Sequence, residues 1–345
     1  MIKSKSFLLI IRFNGELVYG ALIKKFNFLL ISLFLTFSGC MKEKNPIMIG
    51  LSTWPGYGVL FIAEEKGFFD DQNVKVKLKE FMSLSDSKKI FKNGKLDILC
   101  CNIEAIIDLF QVTQEPIRAF YVIDLSVRAD VILAKKGIQC FTELRGKRIA
   151  SEYHASDCQI LTEALRKNYI EMKDIQWVKA NQNLMIQLIE QEKIDAVCSN
   201  PPFSEFIKLT YGYEEIFSGE IVSDSVCDVL AANQHYIRCH SQDLKKIVRA
   251  LSQAALFLKS HPEEGLQIIS RRTQIPYPLL RFSLENIRIL SQYDQKELFA
   301  PHSTLRKAFN GVEYKKNQPF SKNKFNSDSF IEPTIVKDLR NTYDD

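Results

Sequence analysis

The stretch "LSTWPGYGVLFIAEEKGFFDDQNVKVKLKEF", Leu51 to Phe81, decides how the chain folds. It follows the apolar run Ile47–Leu51, a strand pattern, and hands it at once to a helix pattern. Pro55 fixes φ and Gly56 tolerates unusual backbone angles, so the turn between the two is chemically explained. Trp54 and Tyr57 are not needed for a turn. Val59 to Lys66 reads as a helix stopped by Gly67, which suits the left-handed position after a helix end. From Val74 to Phe81, Val, Val, Leu and Phe alternate with Lys and Glu, giving a strand with one buried and one wet face. Strand, helix, strand within some thirty residues is the signature of an α/β protein.

The alternation continues outward. A capped helix is expected from about Ser85 to Lys92, then an Asn-Gly turn and a strand over Leu96–Cys100. "PIRAFYVIDLSVRADVILAKKG" is long, extended and without a helix, as suits a strand crossing between two lobes. Strands then follow at Lys147–Ala150, Ile175–Val178 and Ala196–Ser199, with helices at about Asp157–Lys167, Leu184–Glu192 and after Pro202. A second extended run, Val226 to Asn233, carries the chain back. In "DLKKIVRALSQAALFLKS" Leu244, Ile247, Val248, Leu251, Ala255 and Leu258 share one helix face. No internal repeat is evident. The expected layout is an export signal over 1–39, a lipidated start and linker over 40–45, and lobe 1 over 46–126. Lobe 2 follows over 127–229, a helical return to lobe 1 over 230–310, and a loose polar tail over 311–345.

The chain has 345 residues and a formal charge of +5. Residues 1–39 hold five basic side chains against one acid, so +4 of that charge lies there and the remainder is nearly neutral. This removes the charge argument for a nucleic-acid partner. Lys24 and Lys25 precede the charge-free run Phe26–Phe37, which ends at Ser38, Gly39 and Cys40. The run is shorter than the roughly 20 residues of a spanning helix and reads as a signal peptide. The small pair before Cys40 resembles the lipobox of bacterial lipoproteins, which implies lipidation of the Cys40 thiol and a membrane anchor; Phe37 departs from the Leu usual there. The seven other cysteines lack the paired spacing of a disulfide framework or zinc ribbon.

No Gly-rich phosphate loop, G-x-S-x-G elbow or H-E-x-x-H pair is present, so no catalytic constellation is expected. His235, Cys239 and His240 lie close in sequence, but without a partner pair elsewhere they do not make a metal site, and no metal or cofactor is expected. Polar or aromatic residues instead gather just after the strands, where open α/β sheets form their cleft. Trp54 and Tyr57 follow the first strand, Asn102 follows "DILCC", Ser126 and Arg128 sit in the first crossover, Ser151 to Ser156 follow "KRIA", Asn200 follows "AVCS", and Asp224 precedes the second crossover. Each has a structural role open to it as well. Trp54 can plug the core, His154 or Ser156 can cap a helix, and Asp224 can pair with a neighbouring Arg.

These segments resemble the solute-binding proteins of the nitrate, sulfonate and taurine ABC-transporter group, related to the thiamine-pyrimidine precursor binding proteins. The resemblance runs through "IGLSTWPGYGVLFIAEEKGFF", "NGKLDILCCNIEAIIDL", "LRGKRIASEYHASDCQILTEAL", "LIEQEKIDAVCSNPPFSEF" and "IFSGEIVSDSVCDVLAAN", in order, over about residues 46 to 270. It implies a two-lobed periplasmic binding protein fold of type II, each lobe a mixed sheet flanked by helices and the two joined by crossover strands. It further implies a periplasmic monomer that delivers a small organic solute to an ABC permease and its ATPase. The family's cleft positions fall on Ser52, Thr53, Trp54, Tyr57, Asn102, Ser126 and His154, with Asp224 added from the residue reading. Glu152 would repel a sulfonate if it faced the cleft, which leaves a neutral or cationic solute open. An enzyme on the same fold, a pyrimidine-precursor synthase or small dehydratase, is the alternative.

Overall fold

A computed structural model describes residues 45–126, 130–152, 156–218, 226–311 and 327–337. The expected signal segment, Cys40, Arg128, His154 and Asp224 lie outside the described residues. Strand β1 (Ile47–Ser52) ends at the Trp-Pro-Gly-Tyr turn, and helix α1 (Gly58–Glu65) starts directly after it. Pro55 opens a single 3₁₀ turn, closed by a 3.1 Å bond from the Tyr57 amide to the Trp54 carbonyl. Gly67 takes φ +75° beyond the end of α1, a left-handed angle that glycine adopts without steric cost.

The chain continues as β2 (Val76–Phe81), α2 (Leu84–Lys92), β3 (Ile98–Asn102), α3 (Ile103–Thr113) and β4 (Ile117–Ser126). It then builds β5 (Val131–Ala134), β6 (Arg148–Ser151), α4 (Ser156–Lys167), β7 (Gln176–Lys179) and α5 (Gln182–Glu190). These are followed by β8 (Ala196–Ser199), α6 (Phe203–Tyr211) and β9 (Glu214–Ser218). From β10 (Val226–Asn233) onward come α7 (Ser241–Ser260), α8 (Pro262–Thr273), α9 (Tyr277–Leu284) and the short β11 (Ile287–Ile289). Among the described residues no helix is long and apolar enough to cross a membrane.

The strands form two mixed sheets, ordered β11-β4-β10-β3-β1-β2 and β7-β6-β8-β5-β9. In the first, β1 runs parallel to β2 and β3, while β10 lies antiparallel between β3 and β4. In the second, β6 runs parallel to β7 and β8, and β5 lies antiparallel between β8 and β9. Both faces of each sheet are covered, so alternate residues of one strand enter different cores. Ile98 and Cys100 pack on the face shared with α1 and α7, whereas Leu99 and Cys101 pack on the α3 face. In the second sheet Ala196 and Cys198 face one core and Val197 the other.

The two sheets repeat each other more closely than the sequence suggested. "GKLDILC" (Gly94–Cys100) and "EKIDAVC" (Glu192–Cys198) lead in equivalent ways into β3 and β8. Both begin with a left-handed residue, Gly94 at φ +68° and Glu192 at φ +53°. Asp97 accepts from the Met48 amide at 2.8 Å, and Asp195 from the Arg148 amide at 2.9 Å, tying each β3-type strand to its neighbour. The shared signature is only seven residues long, too short to register as a repeat in sequence.

The expectation of a loose tail after residue 311 does not hold for residues 327–337. Phe330, Ile331 and Ile335 are buried, Ile331 bridges to Ala119, and the Phe330 ring stacks on Phe309 and meets Phe110 edge-on at 5.2 Å. Three apolar anchors inside an Asn-, Ser- and Lys-rich stretch were outweighed by their neighbours in the composition. The strands β9 and β11 were also not anticipated. Phe330→Ala should destabilise the protein by about 3–5 kcal/mol, the range for emptying a buried aromatic site. A urea midpoint that barely moves would show that this segment does not support the core.

Candidate functional site

The carboxyl ends of the parallel strands and the matching ends of their antiparallel neighbours converge on one cavity between the two sheets. Ser52, Thr53, Trp54, Tyr57, Asn102 and Ser126 line it from the first sheet, together with Asp228. Asp130, Glu152, Gln182, Asn200 and Phe203 line it from the second. The structure thus brings together six of the eight expected binding residues, the other two being His154 and Asp224. Met82, Ser83 and Leu84 complete the rim between β2 and α2.

The Trp54 and Tyr57 side chains meet two acids that the sequence reading missed. Trp54 donates its indole N–H to Asp124 Oδ2 at 3.1 Å, and Tyr57 donates its hydroxyl to Asp228 Oδ1 at 2.8 Å. Asp124 and Asp228 are directly paired in register across β4 and β10, with a bulge immediately after Asp228. Opposed residues in antiparallel strands have Cβ atoms about 4.5–5.5 Å apart, a spacing at which like charges repel. Gly56 is part of the same contact: a Cβ there would overlap Asp124 Oδ2 and lie 2.6 Å from Trp54 Nε1. The glycine of the turn therefore serves the close approach of Trp54 to Asp124 as well as the backbone. A signal existed in the sequence, since each acid is a lone charge in a run otherwise apolar, "FYVIDLS" and "VCDVLAAN".

Burial dominates the electrostatics here. It raises Asp124 well above the ordinary carboxylate range, Asp228 adds to the rise, and the Trp54 N–H partly offsets it. Asp228 is pushed up to about 7, again mainly by burial, with the Tyr57 hydroxyl opposing and Asp130 and Glu104 reinforcing. Glu104, at the start of α3, is likewise pushed up to about 7 by burial. Glu152 lines the cavity, the placement in which it would repel a sulfonate. Burial raises it, against a 3.3 Å bond that it accepts from the Gln182 amide.

Other expected residues have structural duties. Asn102 Oδ1 caps α3 by accepting from the Ala105 amide at 3.0 Å, while the residue also lines the cavity. Ser151 is fully buried and accepts from the Trp177 indole at 2.9 Å, so it is a packing residue and not part of the cavity wall. Cys239 Sγ lies 3.6 Å from His235 Nε2, and His240 stacks on Tyr236. Among the described residues no group of three metal-binding side chains occurs. An open groove of about 460 Å³ between α8 and α9 includes the cation Arg271, already bound to Glu65, and lacks the convergence of buried polar groups found in the cleft.

The family model described as NMT1/THI5 like matches residues 54–265. A Haemophilus influenzae protein named for thiamine biosynthesis is 25% identical over 253 residues, covering 71% of this chain and 78% of its own length. The periplasmic aliphatic sulphonate binding protein SsuA of Escherichia coli superposes with a TM-score of 0.65 at 16% identity, over 78% of this chain and 90% of that one. The ligand binding component of an ABC-type import system from Staphylococcus aureus, solved with zinc bound, reaches 0.69 at 17% identity, over 86% and 99%. These likenesses establish the periplasmic binding protein fold.

The raised carboxylates carry a stability consequence of definite sign. A carboxyl whose folded pKa lies above its unfolded value stabilises the fold at low pH, and that contribution is lost as pH rises through the folded pKa. For Asp228 the window runs from about 4 to about 7. Asp228→Asn should therefore melt several degrees above the parent at pH 8 and with it at pH 4, measured as the difference between the two melting curves. A difference independent of pH would show that Asp228 is not held protonated.

Proposed function

The chain belongs to the NMT1/THI5 like family, and we propose that within it this protein is the solute-binding component of an ABC importer. Two sheets whose strand ends face one another across a cavity carry this reading, because such a cleft buries a small molecule by closing about its crossovers. Trp54 and Phe203 supply flat apolar walls, and Ser52, Thr53, Asn102, Ser126 and Asn200 supply fixed polar groups, the composition of a small-molecule site. His154 and Asp224 are proposed to join them. The E. coli and S. aureus neighbours, named for sulphonate binding and ABC import, support the same class.

The N-terminal segment supports export, with Cys40 as the lipidated first residue of a periplasmic, membrane-anchored form. The solute belongs to the sulfonate, taurine, nitrate-like or pyrimidine-precursor classes of organic and oxyanionic solutes. Of these, the acids Asp130, Glu152 and Asp228 in the wall disfavour the plain anions, because no lysine or arginine among the described residues lines the cavity to offset them. The relative named for thiamine biosynthesis supports the pyrimidine side of this range.

Thermal shift and calorimetry of the full chain against sulfonates, taurine, nitrate, aminopyrimidines and amines should give saturable binding to one class without turnover. Product formation from a pyrimidine precursor would instead establish the enzyme reading. Trp54→Ala should weaken that binding by about tenfold or more, the loss expected for an aromatic wall. Because Trp54 is only partly buried, its melting point should fall far less. Collapse of the fold would make Trp54 a core plug. Cells fed labelled palmitate should label the parent and not Cys40→Ala; an unlabelled parent would remove the anchor.

A further inference from the structure

We propose that the Asp124–Asp228 pair is a proton-sharing recognition site for an organic cation, so that the cleft selects a protonated nitrogen group with a hydrogen-bond acceptor on its far side. This rests on the capture reading above and names the solute's chemistry. Asp124 is fully buried, and its Oδ1 has no hydrogen-bond partner. Its other oxygen is held by Trp54, and Tyr57 holds one oxygen of Asp228, so both carboxylates are fixed in orientation.

Two neutral groups on the cavity wall have polar atoms left over. Ser126 is 2% exposed and its Oγ is unpartnered; Gln182 is 6% exposed and its Nε2 is unpartnered. Both residues line the cavity, one from each sheet. The Ser199 hydroxyl donates to Gln182 Oε1 at 2.6 Å, which commits the carbonyl end and turns the amide donor toward the remaining space. Buried polar atoms without partners are rare in folded proteins and cost about 1–3 kcal/mol each, so a site that keeps several awaits a ligand that completes them. Carboxylates line both sides of the cavity, Asp228 on the first sheet, with Asp124 paired to it in register, and Asp130 and Glu152 on the second; Gln182 Nε2 is a donor on the second sheet, and Ser126 can serve as either.

The groups facing the pair come from every element packed on it. They are Trp54 and Tyr57 from the turn, Cys100 and Cys101 from β3, Cys227 beside Asp228 on β10, Glu104 from α3 and Asp130 ahead of β5. Lys88 of α2 acts on Glu104 and Glu152 and lies 3.1 Å from Asp108. With two carboxylates opposed and buried, the empty cleft keeps a proton on the pair. A bound cation replaces it, and the proton leaves to solvent, so one positive charge enters as one departs.

The test uses the full chain and a bacterial small-molecule extract separated by ion exchange into cationic, neutral and anionic fractions, read by thermal shift at pH 5, 6, 7 and 8. The cationic fraction should stabilise the protein, and the effect should grow with pH. For its isolated component the Kd should tighten up to about tenfold per pH unit below the ionisation of the pair. Asp228→Asn should lose the shift while keeping its own melting transition, and Ser126→Ala should bind several-fold more weakly with the same pH slope. Should only the anionic or neutral fraction act, or the shift grow as pH falls, the inference is overturned while solute capture stands. Should no fraction act, the capture reading itself falls and the inference with it.

Discussion

Two carboxylates opposed on neighbouring antiparallel strands are the arrangement around which the first lobe is organised. Asp124 and Asp228 sit in the middle of a sheet buried on both faces, where an isolated charge is costly. The turn after β1 meets that cost directly. Trp54 and Tyr57, the two residues the turn itself did not require, place one N–H and one O–H on the two acids. Gly56 has no side chain because the acid and the indole occupy the space. The Trp-Pro-Gly-Tyr stretch is thus a turn, a cap on a charged pair and a wall of the cleft, and each residue type answers to one of these demands.

The position of that pair follows from topology. A strand laid antiparallel between parallel neighbours brings its beginning to the place where theirs end. β10 therefore sets Asp228 level with Asn102 of β3 and Asp124 of β4, in one row across three central strands at the end that faces the cavity. In the second sheet β5 starts beside the end of β8, and Asp130 precedes it as Asn200 follows β8. Two sheets of the same order, facing one another, give a cavity with a polar floor on each side without any loop being specialised for it.

Much of the fold was legible because α/β proteins write their elements locally. Gly67 marks a helix end by its own chemistry, and β8 and β10 run between the residues expected. Trp54, Tyr57, Asn102 and Ser126 were legible for the same reason, since the end of a strand identifies the mouth of a cleft, whereas Ser52 and Thr53 followed from the family resemblance. Asp124 and Asp228 were not, because the reading looked beyond the strands and both acids lie within them. Gln182 was hidden in a helix's first turn, where a polar residue is ordinary. The buried anchors Phe330, Ile331 and Ile335 were hidden by polar neighbours. In each case the decisive fact is a long-range pairing that no local window contains.

The balance between the lobes bears on how such a cleft would respond to its solute. The second lobe's paired charges are partly exposed and satisfied: Arg148 donates twice to Asp195, which is held down at about 2. Asp124 and Asp228 in the first lobe are buried and raised, and Asp124 Oδ1 has no hydrogen-bond partner. A solute that reaches Asp228 from the first sheet and Gln182 Nε2 from the second would contact both sides of the cavity at once. Differential stabilisation of this kind is what a ligand must provide to favour a closed state, since equal affinity for open and closed forms shifts nothing.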